Sequence, residues 1–375
     1  NVQKYIEEER DNLKWDGRFG AGTPRVNDGS LLFLQHMISK MKPVEQGGSR
    51  IAIVFNGSPL FSGGAGSGES EIRRWILEND WLEAIIALPD QLFYNTGIAT
   101  YFWILSNRKV TQLRDKVILL DGRAYWAKMP KSLGDKRKYI TDEQIEELTR
   151  IYKNALAIAA DPDHEHHAKV KVFPRHAFGY QRITVERPLR QRFEATPETA
   201  DAVAEAKAVT RYKHRDALLA ALKSLAGTVC RTKLEFATKL DAALREHGLD
   251  KIPAPVEKAI WAEVGINDPD GELQVDDRGN VLPDPSLRDY ENVPLSSMDA
   301  SPDKLTSDIK EYMKREVLPH VPDAWVDNSK TRVGFEIPFT RHFYNYRPPR
   351  PLEVIDAELK TLDNEIQQLL GKVIK

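Results

Sequence analysis

Apolar runs and apolar periodicities divide this chain into two styles of folding. In the first third, short strands alternate with helical patterns. Residues 31–41 (LLFLQHMISKM) read as a helix, 50–55 (RIAIVF) as a strand and 69–79 (ESEIRRWILEN) as an amphipathic helix. Strands are predicted again at 83–88, 99–105 and 116–121 (KVILLD). Asp28 or Ser30 is placed to cap the first helix. Strands this short and continuously apolar are buried on both faces, which predicts an α/β sheet covered by helices. Too few residues join 83–88 to 99–105 for a crossover helix, so that pair is predicted antiparallel.

From about 124 to 171 the pattern loosens into a basic stretch (AKMPKSLGDKRK), a helix and a polar loop. Residues 172–193 read as strands packing on the outside of the first domain. After Thr196 the pattern is helical over 197–226, 231–247, 254–265 and 302–317, the last with Ser301 as N-cap and Pro302 at its first position. Asp-Arg-Gly-Asn at 277–280 predicts a small hairpin between helices. Beyond RPPRP at 347–351, apolar residues fall at Leu352, Ile355, Leu359, Leu362, Ile366, Leu369 and Val373. Steps of three and four alternate, which is a heptad seam. Such a stripe fits a helix folded back on its own domain or one that meets a partner's helix. Its place after a proline-stiffened link favours the partner.

At 375 residues and 41% hydrophobic content the chain can build a large core, and two domains are expected. The balance of 54 basic against 56 acidic residues excludes a general nucleic-acid surface, so any DNA contact must come from local patches or a partner. The single cysteine, Cys230, excludes an intrachain disulfide framework, fits a reducing compartment and reads as structural. No apolar run is long enough to span a bilayer, and no signal peptide is evident.

Candidate chemistry is sparse. The glycine loop SGGAGSGES (62–70) sits where phosphate loops sit, but it lacks the Lys-Ser/Thr of a P-loop and the spacing of a dinucleotide fingerprint, so it reads as a flexible loop. The run from Asp161 to His167 has metal-ligand types without a second cluster, and reads as a solvated loop. Asn267 to Gly271 mimics part of a calcium loop without its distal glutamate, and reads as a turn. The most informative stretch is 83–105, EAIIALPDQLFYNTGIATYFWIL, which sets Phe93 and Tyr94 at the mouth of a hairpin. The two rings serve either as a stacking surface for a ligand or as an anchor folded back under the loop.

Taken in order, DGRFGAG…DGSLLFLQHMISKMKP, GGSRIAIVFNGSPLF and EIRRWILENDWLEAIIALPDQLFYNTGIATYFWIL resemble the second half of the catalytic domain in the modification (M) subunit of type I restriction–modification systems. These are gamma-class adenine-N6 DNA methyltransferases that use S-adenosylmethionine. The resemblance continues through FGYQRITVERPLR, PDPSLRDYENVPL and VGFEIPFTRHFYNYRPPRPLEVIDAEL. It implies the C-terminal half of a Rossmann-like methyltransferase sheet followed by a mostly helical C-terminal extension. On this view 1–128 is the catalytic-domain part, 129–195 a basic linker with packing strands, 196–346 the helical extension and 347–375 a coiled-coil helix. The resemblance places Phe33 against the cofactor's adenine, although Phe33 on an apolar helix also fits a core position. It makes Phe93 the ring that stacks on the flipped target adenine, with Tyr94 as the neighbour able to take that role. Extruding a base costs a few kcal/mol, and an aromatic face offsets this by ~1–3 kcal/mol.

The implied partners are DNA, a specificity (S) subunit docked on the 352–373 seam, a second M subunit and, in the full complex, a restriction (R) subunit, all in the cytoplasm and with no membrane. One departure matters most. No Asn-Pro-Pro-Phe or Asn-Pro-Pro-Tyr and no cofactor glycine loop occurs in the chain, so no catalytic residue is assigned. Both are expected upstream of Asn1, as in a fragment that is inactive alone. A lesser departure is IVFNGS, where relatives commonly have a proline before Asn56, leaving that turn open. The alternative function is a non-catalytic interaction module that docks the specificity subunit through its C-terminal helix. A nucleotide-dependent oxidoreductase is disfavoured by the missing dinucleotide fingerprint.

Overall fold

A computed structural model describes residues 2–276, 278–346 and 348–373, the last three by backbone alone. The chain divides into two units. One comprises residues up to 62, 79–175 and 336 onward; the other comprises 63–78 and 176–335.

The first unit opens with α1 (Val2–Leu13), which buries no side chain, and α2 (Ser30–Ile38), which buries Leu31, Leu34 and Ile38. Gly29 holds the N-cap position of α2, and Asp28 Oδ1 accepts from Ser30 N at 3.1 Å. Next come β1 (Arg50–Phe55) and α3 (Ser58–Phe61), with Asn56 Oδ1 accepting from Ser58 N to close the turn between them. After α4 (Gly68–Glu78), which belongs to the second unit, the first resumes with β2 (Leu82–Leu88), β3 (Thr100–Ser106) and β4 (Lys116–Asp121). It continues through β5 (Ala127–Leu133), β6 (Lys136–Tyr139), α5 (Asp142–Lys153), α6 (Ala155–Ala160) and β7 (Val170–Pro174).

The main sheet runs β1-β3-β2-β4-β7. β2 and β3 pair antiparallel from Leu88↔Thr100 to Leu82↔Leu105, as the short connection required. β2 and β4 are parallel, and β1 and β7 flank the sheet antiparallel. One core joins Ala84, Ile86, Ile104, Ile118 and Leu120 of the sheet to Leu148, Ile151, Ala155 and Ile158 of α5 and α6. A Thr141–Gln144 capping box starts α5. Trp103 is wholly buried, with Phe55 edge-on at 5.6 Å. The mixed α/β class expected from the sequence is what the sheet and its helices form.

The second unit holds β8 (Gly179–Glu186), β9 (Arg190–Ala195), α7 (Thr199–Glu205), α8 (Lys207–Thr210) and α9 (Arg215–Ser224). It proceeds through β10 (Thr228–Cys230), α10 (Lys233–Glu246), α11 (Ala254–Val264), β11 (Gly265–Asn267) and β12 (Glu272–Leu273). β13 (Asp289–Pro294), α12 (Pro302–Tyr312), β14 (Trp325–Val326) and β15 (Arg332–Phe335) complete it. The first unit then ends with α13 (Phe339–His342) and α14 (Leu352–Val373).

Four expectations are corrected here. Of the strands expected over 172–193 to pack outside the first domain, only the end of β7 does so, at the edge of the first sheet beside β4; β8 pairs instead with β13, β14 and β15, and β9 with β10, β11 and β12. The side chains from Ile183 to Glu186 are all buried, and a centre strand covered on both faces is the place for them. The helix expected over 197–226 is three helices, broken at extended Ala206 and near His214; each piece sends Val203, Val209 or Leu218 into one shared core. A boundary at 128 cuts a hairpin, since β5 pairs with β6 across Lys128↔Lys138. Helix α4, expected to belong with the sheet, is fastened in the second unit. Arg73 Nε donates to Phe335 O at 2.6 Å, and Ser70 Oγ accepts from Phe335 N at 2.8 Å.

Other local readings hold. Ser301 holds the N-cap position of α12, without a side-chain capping bond, and Pro302 opens the helix. The turn at 276–280 closes through Asp276 N to Asn280 O and a Val275↔Val281 bridge, with Gly279 at φ +82°; Asp277 lies outside the described residues. Cys230 is buried in the helical core. No described helix is long and apolar enough to cross a membrane.

Candidate active site

Between β2 and β3 the chain must leave the sheet and return in eleven residues, 89–99. Pro89 cannot donate to a ladder and ends β2. Gln91 takes a left-handed φ of +59°, and Phe93 and Thr96 bridge across the turn. The result lifts the aromatic pair away from the core: Tyr94 is 63% exposed and Phe93 36%.

The β5–β6 hairpin holds this loop from the side. Asp135 N donates to Tyr94 O at 3.0 Å, and Arg137 N and Lys138 N both donate to Gln91 O, at 3.0 and 3.2 Å. Lys138 pairs with Asp90, its Nζ lying 4.3 Å from the Trp126 ring centre. The Lys136 ammonium stands 5.1 Å from the Tyr94 ring centre. Gly134 turns the hairpin at φ +61°, and a Cβ there would meet Tyr94 O at 2.5 Å, so the clasp requires glycine. Sequence reading treated this stretch as a linker. The Gly-Asp step between SL and KRK is the turn signal that marks it.

A second cluster surrounds Phe33. Leu31, Leu34 and Ile38 take the buried face of α2 and leave Phe33 71% exposed, so it is not a core residue. It lines a concavity of about 460 Å³ with Tyr5, Ile6, Phe19 and His36. Helix α1, which supplies Tyr5 and Ile6, was not predicted, because its few apolar positions leave little period to detect. Glu9 of α1 accepts from Arg18 N and Nε at 2.9 and 2.8 Å, and the Arg18 guanidinium rests 4.9 Å from the Phe19 ring centre. No ring contact joins Phe33 to Phe93 among the described residues.

Hydrogen bonding from Arg18 holds the Glu9 carboxyl down at about 2, against an ordinary 4.5. A depressed carboxyl stabilises the fold fully above its ordinary value, and that stabilisation is lost as pH falls toward 2. Thermal unfolding of Glu9→Gln should therefore show a lower midpoint than the parent at pH 7, with the gap narrowing steadily as pH falls from the ordinary carboxyl range toward 2. A gap that stays constant across that range would refute the ion pair as its source.

The other candidates settle simply. In the glycine loop, Gly63 O accepts from Arg73 at 3.1 Å, which ties the loop to α4. Among the described residues no group of His, Cys, Asp and Glu is arranged to hold a metal; His166 is buried and His167 Nδ1 lies 3.1 Å from Ile158 O. Asp268 to Gly271 forms a turn. On α14, Leu352, Leu359, Leu362, Ile366 and Leu369 are all more than half exposed and Ile355 is partly covered, whereas the side chain of Val373 lies outside the described residues.

Residues 2–173 match the family described as N-6 DNA Methylase. The matched region contains both aromatic clusters. The chain is similar to methylase subunits of type I restriction enzymes. It is 34% identical over 113 residues to the HindI methylase subunit of Haemophilus influenzae, covering 30% of this chain and 24% of that one. To the EcoKI methylase subunit of Escherichia coli it is 31% identical over 123 residues, or 32% of this chain and 22% of that one. The crystal structure of a type I restriction-modification methyltransferase subunit from Streptococcus thermophilus matches 44% of this chain and 31% of its own at 23% identity, with a TM-score of 0.36. The resemblance to type I modification subunits stands on the family and sequence matches. These span less than a quarter of either curated relative, and the motifs from FGYQRITVERPLR onward lie beyond the family match.

Proposed function

We propose that this chain is part of the modification subunit of a type I system and serves in methylating adenine N6 in DNA. The observation that carries the reading is the loop 89–99: it sets a half-exposed Phe93 and an exposed Tyr94 at the end of a buried hairpin, inside the methylase-matched region. Phe93 is the platform for an extruded adenine, and Tyr94 flanks it. The exposed Phe33 ring at the wall of an apolar concavity fits the adenine of S-adenosylmethionine, which supplies the methyl group when bound. Arg18, fixed by Glu9, borders that concavity. DNA is the substrate. The exposed α14 seam docks a specificity subunit, and a second modification subunit and a restriction subunit complete the assembly.

The 375 residues contain no Asn-Pro-Pro-Phe or Asn-Pro-Pro-Tyr, the element expected to hold the adenine amino group. Polypeptide 1–375 alone is thus expected to transfer no methyl group to DNA, whereas the assembled modification complex containing this chain forms N6-methyladenine. Labelled methyl incorporation, followed by nucleoside analysis of the DNA, reads both. Turnover by the isolated polypeptide would overturn the first expectation; a complex that methylates cytosine or nothing would overturn the second. The exposed seam of α14 also supports a reading as a non-catalytic docking module, in which the complex would assemble but methylate no faster with the chain than without it.

A further inference from the structure

The sequence as a whole is close to neutral, with 54 basic and 56 acidic residues, yet the β5–β6 hairpin is not. Between Ala127 and Tyr139 it carries Lys128, Lys131, Lys136, Arg137 and Lys138 against Asp135 alone. Lys138 is neutralised by Asp90. The other four form no ion pair among the described residues, and Lys128, Lys131 and Arg137 are exposed. The register sets Lys128 directly opposite Lys138, so the carboxylate of Asp90 is spent on Lys138 and Lys128 keeps its charge uncompensated at the surface. The same hairpin donates three backbone hydrogen bonds to Gln91 and Tyr94, so its cations are held beside the aromatic pair.

We infer that the β5–β6 hairpin is a phosphate clamp: Lys128, Lys131, Lys136 and Arg137 neutralise the DNA backbone flanking the nucleotide whose base leaves the stack. Where those phosphates lie rests on the reading of Phe93 as the base platform. A flipped nucleotide swings its own phosphates outward, and cations fixed to the loop that receives the base are positioned to hold them. Lys136 touches both features, since its ammonium caps Tyr94. Contacts of this kind carry no sequence information, in keeping with target choice residing in another subunit.

The test is the salt dependence of DNA binding by the assembled modification complex. Each phosphate contact contributes about 0.9 to the slope of log K against log salt. The complex with Lys128→Ala, Lys131→Ala, Lys136→Ala and Arg137→Ala should show a slope shallower by about 3 to 4. If that variant fails to fold, Lys131→Gln with Arg137→Gln, both exposed and unpaired, should lower the slope by about 2. An unchanged slope at unchanged affinity overturns the clamp. So does loss of subunit assembly on a sizing column with DNA affinity intact, which would make the hairpin a docking site for an acidic protein. Phe93→Ala separates this from the platform reading: it should slow methylation and leave the slope alone. A shallower slope in the hairpin variants beside a fully active Phe93→Ala enzyme would keep the clamp and remove the platform.

Discussion

Phe93→Ala in the modification complex should lower the methylation rate about 5- to 150-fold, the rate equivalent of losing the ~1–3 kcal/mol of base stacking that one aromatic face provides. The ring is 36% exposed and sits outside the buried cores, so its removal takes away little packing and the thermal midpoint should hold. Phe93→Trp should keep most of the rate, because any large π-face serves the stack. Single-turnover methylation of a duplex carrying one target site gives the measurement. Should Tyr94→Ala lose the rate while Phe93→Ala keeps it, the platform is Tyr94. If neither variant slows turnover, the rings are only a loop anchor. The hairpin clasp matters to this outcome, because Gln91 O is held from β6 and Tyr94 O from Asp135 in the β5–β6 turn, so the loop keeps its shape when one ring is truncated.

Leu359→Asp with Ile366→Asp should abolish assembly of this chain with its helical partner and leave its own folding unchanged. Both side chains are more than half exposed, at 58% and 55%, so neither contributes much to the isolated fold. In a heptad interface each would be buried, at about 1.5–3 kcal/mol per side chain. Losing two weakens association by roughly 10²- to 10⁴-fold before any penalty for burying the new carboxylates. Sedimentation of the complex, with thermal unfolding of the chain alone, tests both halves. A doubly substituted chain that still assembles rules out α14 as the handle. One that assembles poorly because it no longer folds places the seam against its own domain.

The chain's reading from sequence succeeded where a structural fact is local. The strands at 50–55, 83–88, 99–105 and 116–121 appear within one residue of their predicted bounds, since a continuous apolar run in a covered sheet leaves few alternatives. The antiparallel sense of β2 and β3 followed from connection length alone. The helix at 352–373 followed from its heptad steps and the prolines before it. Phe33 was legible as an aromatic residue on a helix, but which face it occupied was not, because Leu31, Leu32, Phe33 and Leu34 are all apolar and only the neighbours of α2 select the buried ones.

By itself, the sequence determined the strands of the first third, the reversal at 89–99 and the heptad helix, because propensity, proline geometry and loop length act within a few residues. Tertiary structure alone decided three things. It made β8 and β9 the centres of two sheets, it fastened α4 to Phe335 through Arg73, and it set a basic hairpin against Gln91 and Tyr94. Each joins residues more than 30 positions apart, and the period-2 pattern that identifies a strand does not name the strand, or the loop, that its hydrogen bonds will meet.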